Sequence, residues 1–106
     1  MEKANPLERL AGTRGFDWDQ GNADKNWRQH QVSQAEAEQV FFGASARIAP
    51  SLARSDREPR FAALGPTAAG RMLTVVFTLR DDLIRVISAR DMSRRERKLY
   101  ETDTGT

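Results

Sequence analysis

Basic side chains are concentrated in one short part of the sequence, residues 85–98. This segment holds six basic and two acidic residues, a balance of +4, whereas the whole chain of 106 residues carries only +2. The remainder of the chain therefore sums to −2. Five of the six basic residues are Arg, whose planar guanidinium group suits phosphate oxygens. The pattern predicts a polyanionic partner, either nucleic acid or an acidic protein surface, and the plainer alternative is a solvated basic helix.

A second set of side chains could supply acid–base and electrostatic chemistry. Arg60, Arg85 and Arg90 lie on or at the ends of predicted strands, where a rigid sheet can hold guanidinium groups against phosphate oxygens. Each could equally be a solvated or ion-paired strand residue. His30 is the only imidazole, so it is a candidate acid or base, although a helix C-terminus also favours histidine. Glu58 could act as a base or pair with an arginine.

The last basic residues share one short predicted helix. Arg94, Arg95, Arg97 and Lys98 cannot all face inward, so most of them are expected in solvent, in contact with nucleic-acid phosphates or an acidic partner. Tyr100 could stack on an unpaired base, transfer a proton or dock this helix on the sheet. These alternatives stay open on the sequence alone.

Composition excludes several kinds of chemistry. The chain has no cysteine, which rules out disulfides, thiolate nucleophiles and Cys-ligated zinc. We predict no metal site and no other cofactor. No apolar run approaches the ~20 residues that span a bilayer, and the first residues lack the apolar stretch of a secretory signal. The expected location is the cytoplasm.

Two capping boxes locate the starts of helices. Ser33-Gln-Ala-Glu36 predicts a helix that ends at Gly43, and Ser93-Arg-Arg-Glu96 predicts a final helix that runs to about Glu101. In both boxes the glutamate is better explained as a cap than as a catalytic group. Leu99 is the expected anchor of the final helix.

An earlier helix is expected from Asn22, acting as its N-cap, to about His30. Trp27 should be its main apolar anchor. Trp18 is also expected in the core, and it belongs to a short strand or extended segment, Phe16-Asp-Trp-Asp19.

The strands are clearest after residue 60. Arg60–Leu64 and Met72–Arg80 have strand-like composition, a marginal strand surrounds Ile48, and Asp81-Asp82 fits a two-residue hairpin turn. That turn predicts cross-strand pairs on one face at Leu79–Ile84, Phe77–Val86 and Val75–Ser88, and on the other at Thr78–Arg85.

The resulting fold class is α+β, with two N-terminal helices, a three- to four-stranded antiparallel sheet and a C-terminal helix. We expect residues 1–14 to be a loosely ordered extension, residues 15–102 to form the single domain, and residues 103–106 to be a tail.

Over roughly residues 16–101 the sequence resembles the BrnT toxin family, the toxic half of a bacterial toxin–antitoxin pair. The resemblance implies a fold similar to RelE-type toxins, RNA cleavage that blocks translation, and a BrnA antitoxin with a ribbon-helix-helix DNA-binding domain. Operator DNA would then be bound only through the antitoxin complex. The resemblance to the family rests on Phe16-Asp-Trp-Asp19, Asn26, His30, Val32-Ser33, Glu36-Ala37, Val40-Phe41, Arg60, Gly65, Leu73, Val75-Val76, Ile87-Ser-Ala-Arg90, Glu96-Arg97 and Tyr100.

The chain departs from the family pattern at two positions. Asn22 stands where the family usually has lysine, and Gln31 stands where it has glycine. Lys25 lies one helical turn beyond Asn22 and could replace the missing cation, which makes it a candidate RNA-binding residue.

The leading hypothesis is an endoribonuclease toxin that acts without metal. The alternatives are a non-catalytic protein that binds nucleic acid or an antitoxin, and a toxin inactivated by the change at Asn22.

Overall fold

Three helices and a five-stranded sheet make up the part of the chain described by the computed structural model, which is residues 10, 12–43, 45–50 and 59–103. This α+β architecture confirms the predicted fold class. The elements in chain order are β1 (Gly15–Phe16), α1 (Gln20–His30), α2 (Gln34–Phe42), β2 (Arg47–Pro50), β3 (Phe61–Pro66), β4 (Met72–Arg80), β5 (Leu83–Asp91) and α3 (Arg94–Asp103).

The sheet has the strand order β1-β5-β4-β3-β2. Strands β2 to β5 pair in antiparallel fashion, as predicted, but β1 pairs in parallel with β5. The sheet is therefore mixed and has one strand more than the three or four expected. The added strand is only two residues long, too short for alternation of polar and apolar residues to reveal it.

The hairpin between β4 and β5 keeps the predicted register only near its turn. Leu79–Ile84, Phe77–Val86 and Thr78–Arg85 are partners, but Val75 pairs with Ala89 instead of Ser88. The predicted Val75–Ser88 pair is wrong because a β-bulge lies between Val76 and Phe77, where Ile87 is the extra residue on β5.

One face of the sheet forms the hydrophobic core with α2. Phe77 is 1% exposed, and its ring meets Phe41 edge to face at 5.0 Å between ring centroids. The fully packed cluster contains Val32, Ala37, Val40, Ala63, Leu73, Val75, Phe77, Leu79, Ile84, Val86 and Ala89.

Helix α1 begins earlier than predicted. Asp19, rather than Asn22, is its N-cap, because the Asp19 carboxylate accepts the Gly21 and Asn22 N–H groups. Asn22 then lies in the first turn. The prediction that Trp27 anchors the helix is also wrong: Trp27 is 54% exposed, and the neighbouring Asn26 occupies the buried position.

Polar side chains of α1 cover the edge of β5 beyond the point where β1 stops. Asn22 Nδ2 and Lys25 Nζ donate to the carbonyl oxygens of Val86 and Ile87, at 3.5 and 3.4 Å. Asn26 Oδ1 accepts the Ala89 N–H at 3.2 Å. Because these three residues have i, i+3, i+4 spacing, one helix face satisfies a strand edge that would otherwise be free to pair.

Both predicted capping boxes are present. Ser33 and Glu36 cap α2, which ends at Gly43, and Ser93 and Glu96 make the equivalent bonds at α3. Helix α3 is anchored differently from the prediction, however. Leu99 is 57% exposed, whereas Tyr100 is buried. No helix in the described part of the chain is long and apolar enough to cross a membrane.

Candidate nucleic-acid interface

The candidate interface is the face of the sheet opposite the core. Alternate residues of β4 from Val75 to Leu79 lie in the core, so Thr74, Val76 and Thr78 belong to this opposite face, which we call the outer face.

Cross-strand pairing extends the outer face over four strands in three rows. Arg60 is placed by continuing the β3–β4 register one residue beyond the pair Phe61–Phe77. The two end rows are four residues apart along β4, about 13 Å at the rise of a strand. The rows are Arg60–Thr78–Arg85, Ala49–Ala62–Val76–Ser88 and Arg47–Leu64–Thr74–Arg90.

Helix α3 packs across the third row. Thr74 Oγ1 donates to Glu96 Oε1 at 3.0 Å, and Tyr100 OH donates to the Ser45 carbonyl at 2.9 Å. The middle row of short side chains stays partly exposed. It forms the floor of a shallow trough, with α3 on one side and the row of Arg60 and Arg85 on the other.

The bulge at Ile87 decides which face carries Arg90. Arg85 and Arg90 are five residues apart, and a regular strand would put residues at an odd separation on opposite faces. The extra residue shifts the alternation of side chains between the two faces by one position. Arg85 therefore lies opposite Thr78, and Arg90 lies opposite Thr74. All three arginines that the sequence singled out therefore share the outer face.

Arg85 is held by two carboxylates near the start of α1. Its Nη1 lies 3.2 Å from Asp17 Oδ2, and its Nη2 lies 3.1 Å from Asp19 Oδ2. Since Asp19 is also the N-cap of α1, the pair ties the helix start to β5. Arg85 thus has the ion-paired arrangement that the sequence left open, with its Nε–H and one N–H on each Nη not used by these two bonds.

Arg90 makes a bidentate pair with Glu96. Arg90 Nη1 and Nη2 donate to Glu96 Oε1 and Oε2 at 2.6 and 2.7 Å. These bonds, helped by the Ser93 N–H, lower the pKa of Glu96 to about 2, and the same contact raises the pKa of Arg90. Glu96 is therefore ionised near neutral pH and fully occupied, which makes it a poor general acid or base.

Arg60 differs from the other two arginines. No hydrogen bond or ion pair of its guanidinium group joins it to another described residue. It lies beside Thr78, whose hydroxyl donates to the Pro59 carbonyl at 2.8 Å. Arg60 is thus the one of these three arginines whose charge is least compensated by described residues. Glu58, the predicted base two residues earlier, lies outside the described residues.

His30 lies at the end of α1, beside a cluster centred on Arg71. Arg71 Nη2 donates to the His30 carbonyl at 2.9 Å, and its Nε and Nη2 bind the Asp91 carboxylate. These bonds to Arg71, with a smaller contribution from the charge of His30, lower the pKa of Asp91. His30 is therefore close to Asp91, and no described contact brings it to the outer-face arginines.

The predicted RNA-binding residues fall into three groups. Lys25 contacts the β5 edge, as described above. Arg94 and Arg95 are exposed on α3, and Arg97 pairs weakly with Glu101 at 3.7 Å, so this surface is solvated as expected. Tyr100 docks α3 on the sheet, since its ring is buried and its hydroxyl donates to the carbonyl of Ser45, just before β2.

Two arginines were not singled out from the sequence. Arg71 uses all five of its N–H groups, on the carboxylates of Asp91 and Glu36 and on two carbonyls at the end of α1. Arg47 lies on the outer face at β2. The alternation of Arg47 and Ala49 around apolar Ile48 was the available signal for Arg47.

Thr74 and Thr78 of the outer face are each 1% exposed, whereas Val76 between them is partly exposed. A groove of about 360 Å³ lies elsewhere, between β1 and α2, and Phe16, Phe41 and Phe42 are among the residues that line it. It contains none of the predicted site residues. Within the described residues, no three His, Asp or Glu side chains are grouped as metal ligands would be.

Fold and site together define a small α+β protein with an arginine-bearing sheet face. The family model described as the ribonuclease toxin BrnT of a type II toxin–antitoxin system matches residues 18–96. Because this match covers most of the chain, the protein belongs to the BrnT ribonuclease toxin family.

A solved structure agrees with this assignment. The chain is similar to the crystal structure of the Brucella abortus ribonuclease toxin BrnT, with a TM-score of 0.60 and 25% sequence identity. The match covers 77% of this chain and 100% of that chain. No curated protein has a sequence that matches this chain.

Proposed function

We propose that this protein is an endoribonuclease toxin that cleaves RNA without a metal ion and thereby inhibits translation in the bacterial cytoplasm. Membership of the ribonuclease toxin family supports the reaction class. The observation that carries the proposal is the placement of Arg60, Arg85 and Arg90 on one sheet face.

The proposed reaction uses a nucleophile that RNA itself provides. The ribose 2′-oxygen attacks the adjacent phosphorus, the bond from phosphorus to the 5′-oxygen breaks, and the products are a 2′,3′-cyclic phosphate and a 5′-hydroxyl. The proton of the 2′-hydroxyl passes to a base, and the 5′-oxygen receives a proton from an acid. The protein must also stabilise the charge that builds up on the phosphorane oxygens.

Arg60 is the main candidate for this charge stabilisation. Its guanidinium group has no carboxylate partner in the described part of the chain, so its hydrogen bonds are available to phosphate oxygens. Arg85 contributes from the same row through its remaining N–H groups. Arg90 holds α3 against the sheet through Glu96 and adds positive charge to the other side of the trough.

The proton-transfer roles remain assigned to Glu58 and His30 as predictions. Glu58 precedes Arg60 by two residues, which favours it as the base. His30 is about the length of α1 away from the Arg85 end of the face, so a direct role in the chemistry requires RNA that extends around the β5 edge. Lys25, on the same helix, would lie along such a path.

The partner proposed for neutralisation is a BrnA-like ribbon-helix-helix antitoxin. The family belongs to a type II toxin–antitoxin system, which implies a cognate antitoxin protein. We propose that operator DNA is bound only through that complex. The exposed basic residues of α3, Arg94 and Arg95, suit an acidic antitoxin segment as well as RNA phosphates.

The alternative function is non-catalytic binding of RNA or of the antitoxin. It is favoured by one observation: Arg85, Arg90 and Glu96 are engaged in ion pairs, so the described outer face has few free catalytic groups. A related alternative is a toxin inactivated at Asn22. Against it, Lys25 places an ammonium group one carbonyl further along the β5 edge than Asn22.

The test is cleavage of a labelled RNA by the purified protein in EDTA. Wild type should cleave, and Arg60→Ala should lower kcat/KM about 100-fold, as expected for loss of one transition-state donor. Arg28→Ala is the matched control, because Arg28 is an exposed arginine of α1 and belongs to none of the three rows, and it should cleave normally.

Bacterial growth after induction provides the parallel readout. Wild type and Arg28→Ala should arrest growth, and Arg60→Ala should not. Stable binding of RNA with no cleavage by wild type would establish the non-catalytic alternative. Cleavage that stops in EDTA and resumes with added Mg²⁺ would reject the metal-free mechanism.

A further inference from the structure

Arg47 has a guanidinium group that the fold leaves unused. Its Nε is buried and makes no hydrogen bond to any described residue. No ion pair in the described part of the chain involves it either. Buried polar groups normally have partners, and arginine has five N–H donors to satisfy. The Arg47 side chain as a whole is partly exposed, so its Nη groups rather than the buried Nε can bind an external acceptor.

The position of Arg47 on the outer face indicates what that acceptor is. Arg47 pairs with Leu64, which puts it in the third row of the sheet together with Thr74 and Arg90. Along the strands it lies about 13 Å from Arg60. Arg47 and Arg60 are thus unpaired arginines at the two ends of the trough floor.

We infer that Arg47 is a further RNA-binding residue, which holds a backbone phosphate next to the one that is cleaved. This inference rests on the proposed function, since it uses the same face and the same substrate. Arg60 and Arg85 lie in the row assigned to the scissile phosphate, and Arg47 lies at the other end of the small-residue floor. An RNA strand that crosses Ala62 and Val76 would run from the row of Arg60 to the edge of α3, where Arg47 lies at the β2 end of the third row.

A purely structural role for Arg47 is disfavoured by its contacts. A structural arginine makes bonds within the fold, as Arg71 does with five. Arg47 makes none among the described residues, so its removal eliminates a buried donor without breaking a bond. Arg47→Met keeps most of the aliphatic packing and should not lower the melting temperature.

The test is the salt dependence of RNA binding, measured without cleavage. The probe is a fluorescein-labelled 2′-O-methyl RNA oligonucleotide, which lacks the attacking hydroxyl, and the readout is fluorescence anisotropy. For single strands the slope of log K against log salt is about −0.7 for each phosphate contact. Arg47→Met should make the slope less negative by about 0.7 and weaken binding about tenfold.

Two control variants sharpen the measurement. Arg47→Lys keeps the charge and should keep most of the slope, whereas Arg28→Ala should leave both slope and affinity unchanged. In cleavage of unmodified RNA, Arg47→Met should raise KM and leave kcat nearly unchanged, because the residue contacts a phosphate that does not react.

The outcomes separate this inference from the proposed function. If wild type binds no RNA, both fail. If wild type binds and cleaves RNA while Arg47→Met shows an unchanged slope, the role of Arg47 is refuted and the proposed function stands. If Arg47→Met lowers the melting temperature and leaves the slope unchanged, the role of Arg47 is structural and the inference is overturned. If Arg47→Met loses binding to the antitoxin but keeps binding to RNA, the inference is also overturned.

Discussion

Replacing Arg71 with alanine should destabilise the protein more than any other loss of a single surface charge. Arg71 joins three elements that are distant in sequence: the end of α1, the start of α2 through Glu36, and the end of β5 through Asp91. Its pKa is raised by the Asp91 contact, so it stays charged at every pH at which the protein is folded.

The magnitude follows from the five hydrogen bonds. The two bonds to the carbonyls of Gln31 and His30, at 2.8 and 2.9 Å, are charge-assisted and contribute about 1.5 kcal/mol each. Asp91 is 63% exposed at its side chain, so screening limits its pair to about 0.5 kcal/mol, and Glu36 adds a similar amount. Arg71→Ala should therefore lower the free energy of unfolding by about 4 kcal/mol.

Urea unfolding followed by circular dichroism measures this loss. With an m-value of about 2 kcal/mol/M, the midpoint should fall by about 2 M. Arg71→Lys should lose about half as much, because an ammonium group cannot reach all the acceptors of the guanidinium fork. Arg95→Ala, at an exposed arginine, should change stability by less than about 0.5 kcal/mol. A loss below about 1 kcal/mol for Arg71→Ala would refute the reasoning.

Two further perturbations test the account of the local structure. Because bonds from Arg90 hold the pKa of Glu96 at about 2, below its ordinary value of 4.5, the folded state binds fewer protons than the unfolded state. The resulting stabilisation is complete above pH 4.5 and is lost as the pH falls towards 2, so melting curves should show a steeper acid loss for wild type than for Glu96→Gln; parallel curves would contradict this. Gln31 ends α1 in the left-handed region at φ 58°, where glycine carries no steric penalty. Gln31→Gly should therefore stabilise the protein by about 0.5–1 kcal/mol in urea unfolding, and a loss of stability would count against that explanation.

Local features were the ones that the sequence predicted well. The capping boxes at Ser33 and Ser93 and the turn at Asp81-Asp82 depend on side chains and backbone within four residues of one another. Strand composition also located β4, which is rich in β-branched and aromatic residues. Such signals do not require knowledge of the rest of the fold.

Features set by distant partners were missed. Trp27 is exposed because Asn26 takes the position facing β5, and Leu99 is exposed because Glu96 and Tyr100 face the sheet. In each case a side chain with a polar group faces inward because it forms a hydrogen bond to another element. Hydrophobicity alone favours the wrong neighbour.

For the candidate site, the sequence proposes residues but does not give their arrangement. The face of the sheet on which Arg90 lies depends on the bulge at Ile87, and no simple sequence pattern marks a bulge there. The partners of Arg85 come from 66 and 68 residues away in the chain. Glu96 was correctly interpreted as a cap, yet it also binds Arg90, which the capping motif does not reveal.

The most direct test of the central claim is identification of the RNA ends that the purified protein produces in EDTA. Metal-free attack by the 2′-hydroxyl predicts fragments with a 2′,3′-cyclic phosphate and a 5′-hydroxyl, detected by mass spectrometry, and no cleavage of the same RNA with 2′-O-methyl groups. Fragments with 5′-phosphate ends, cleavage of the 2′-O-methyl RNA, or intact RNA after incubation with folded wild-type protein would contradict the account.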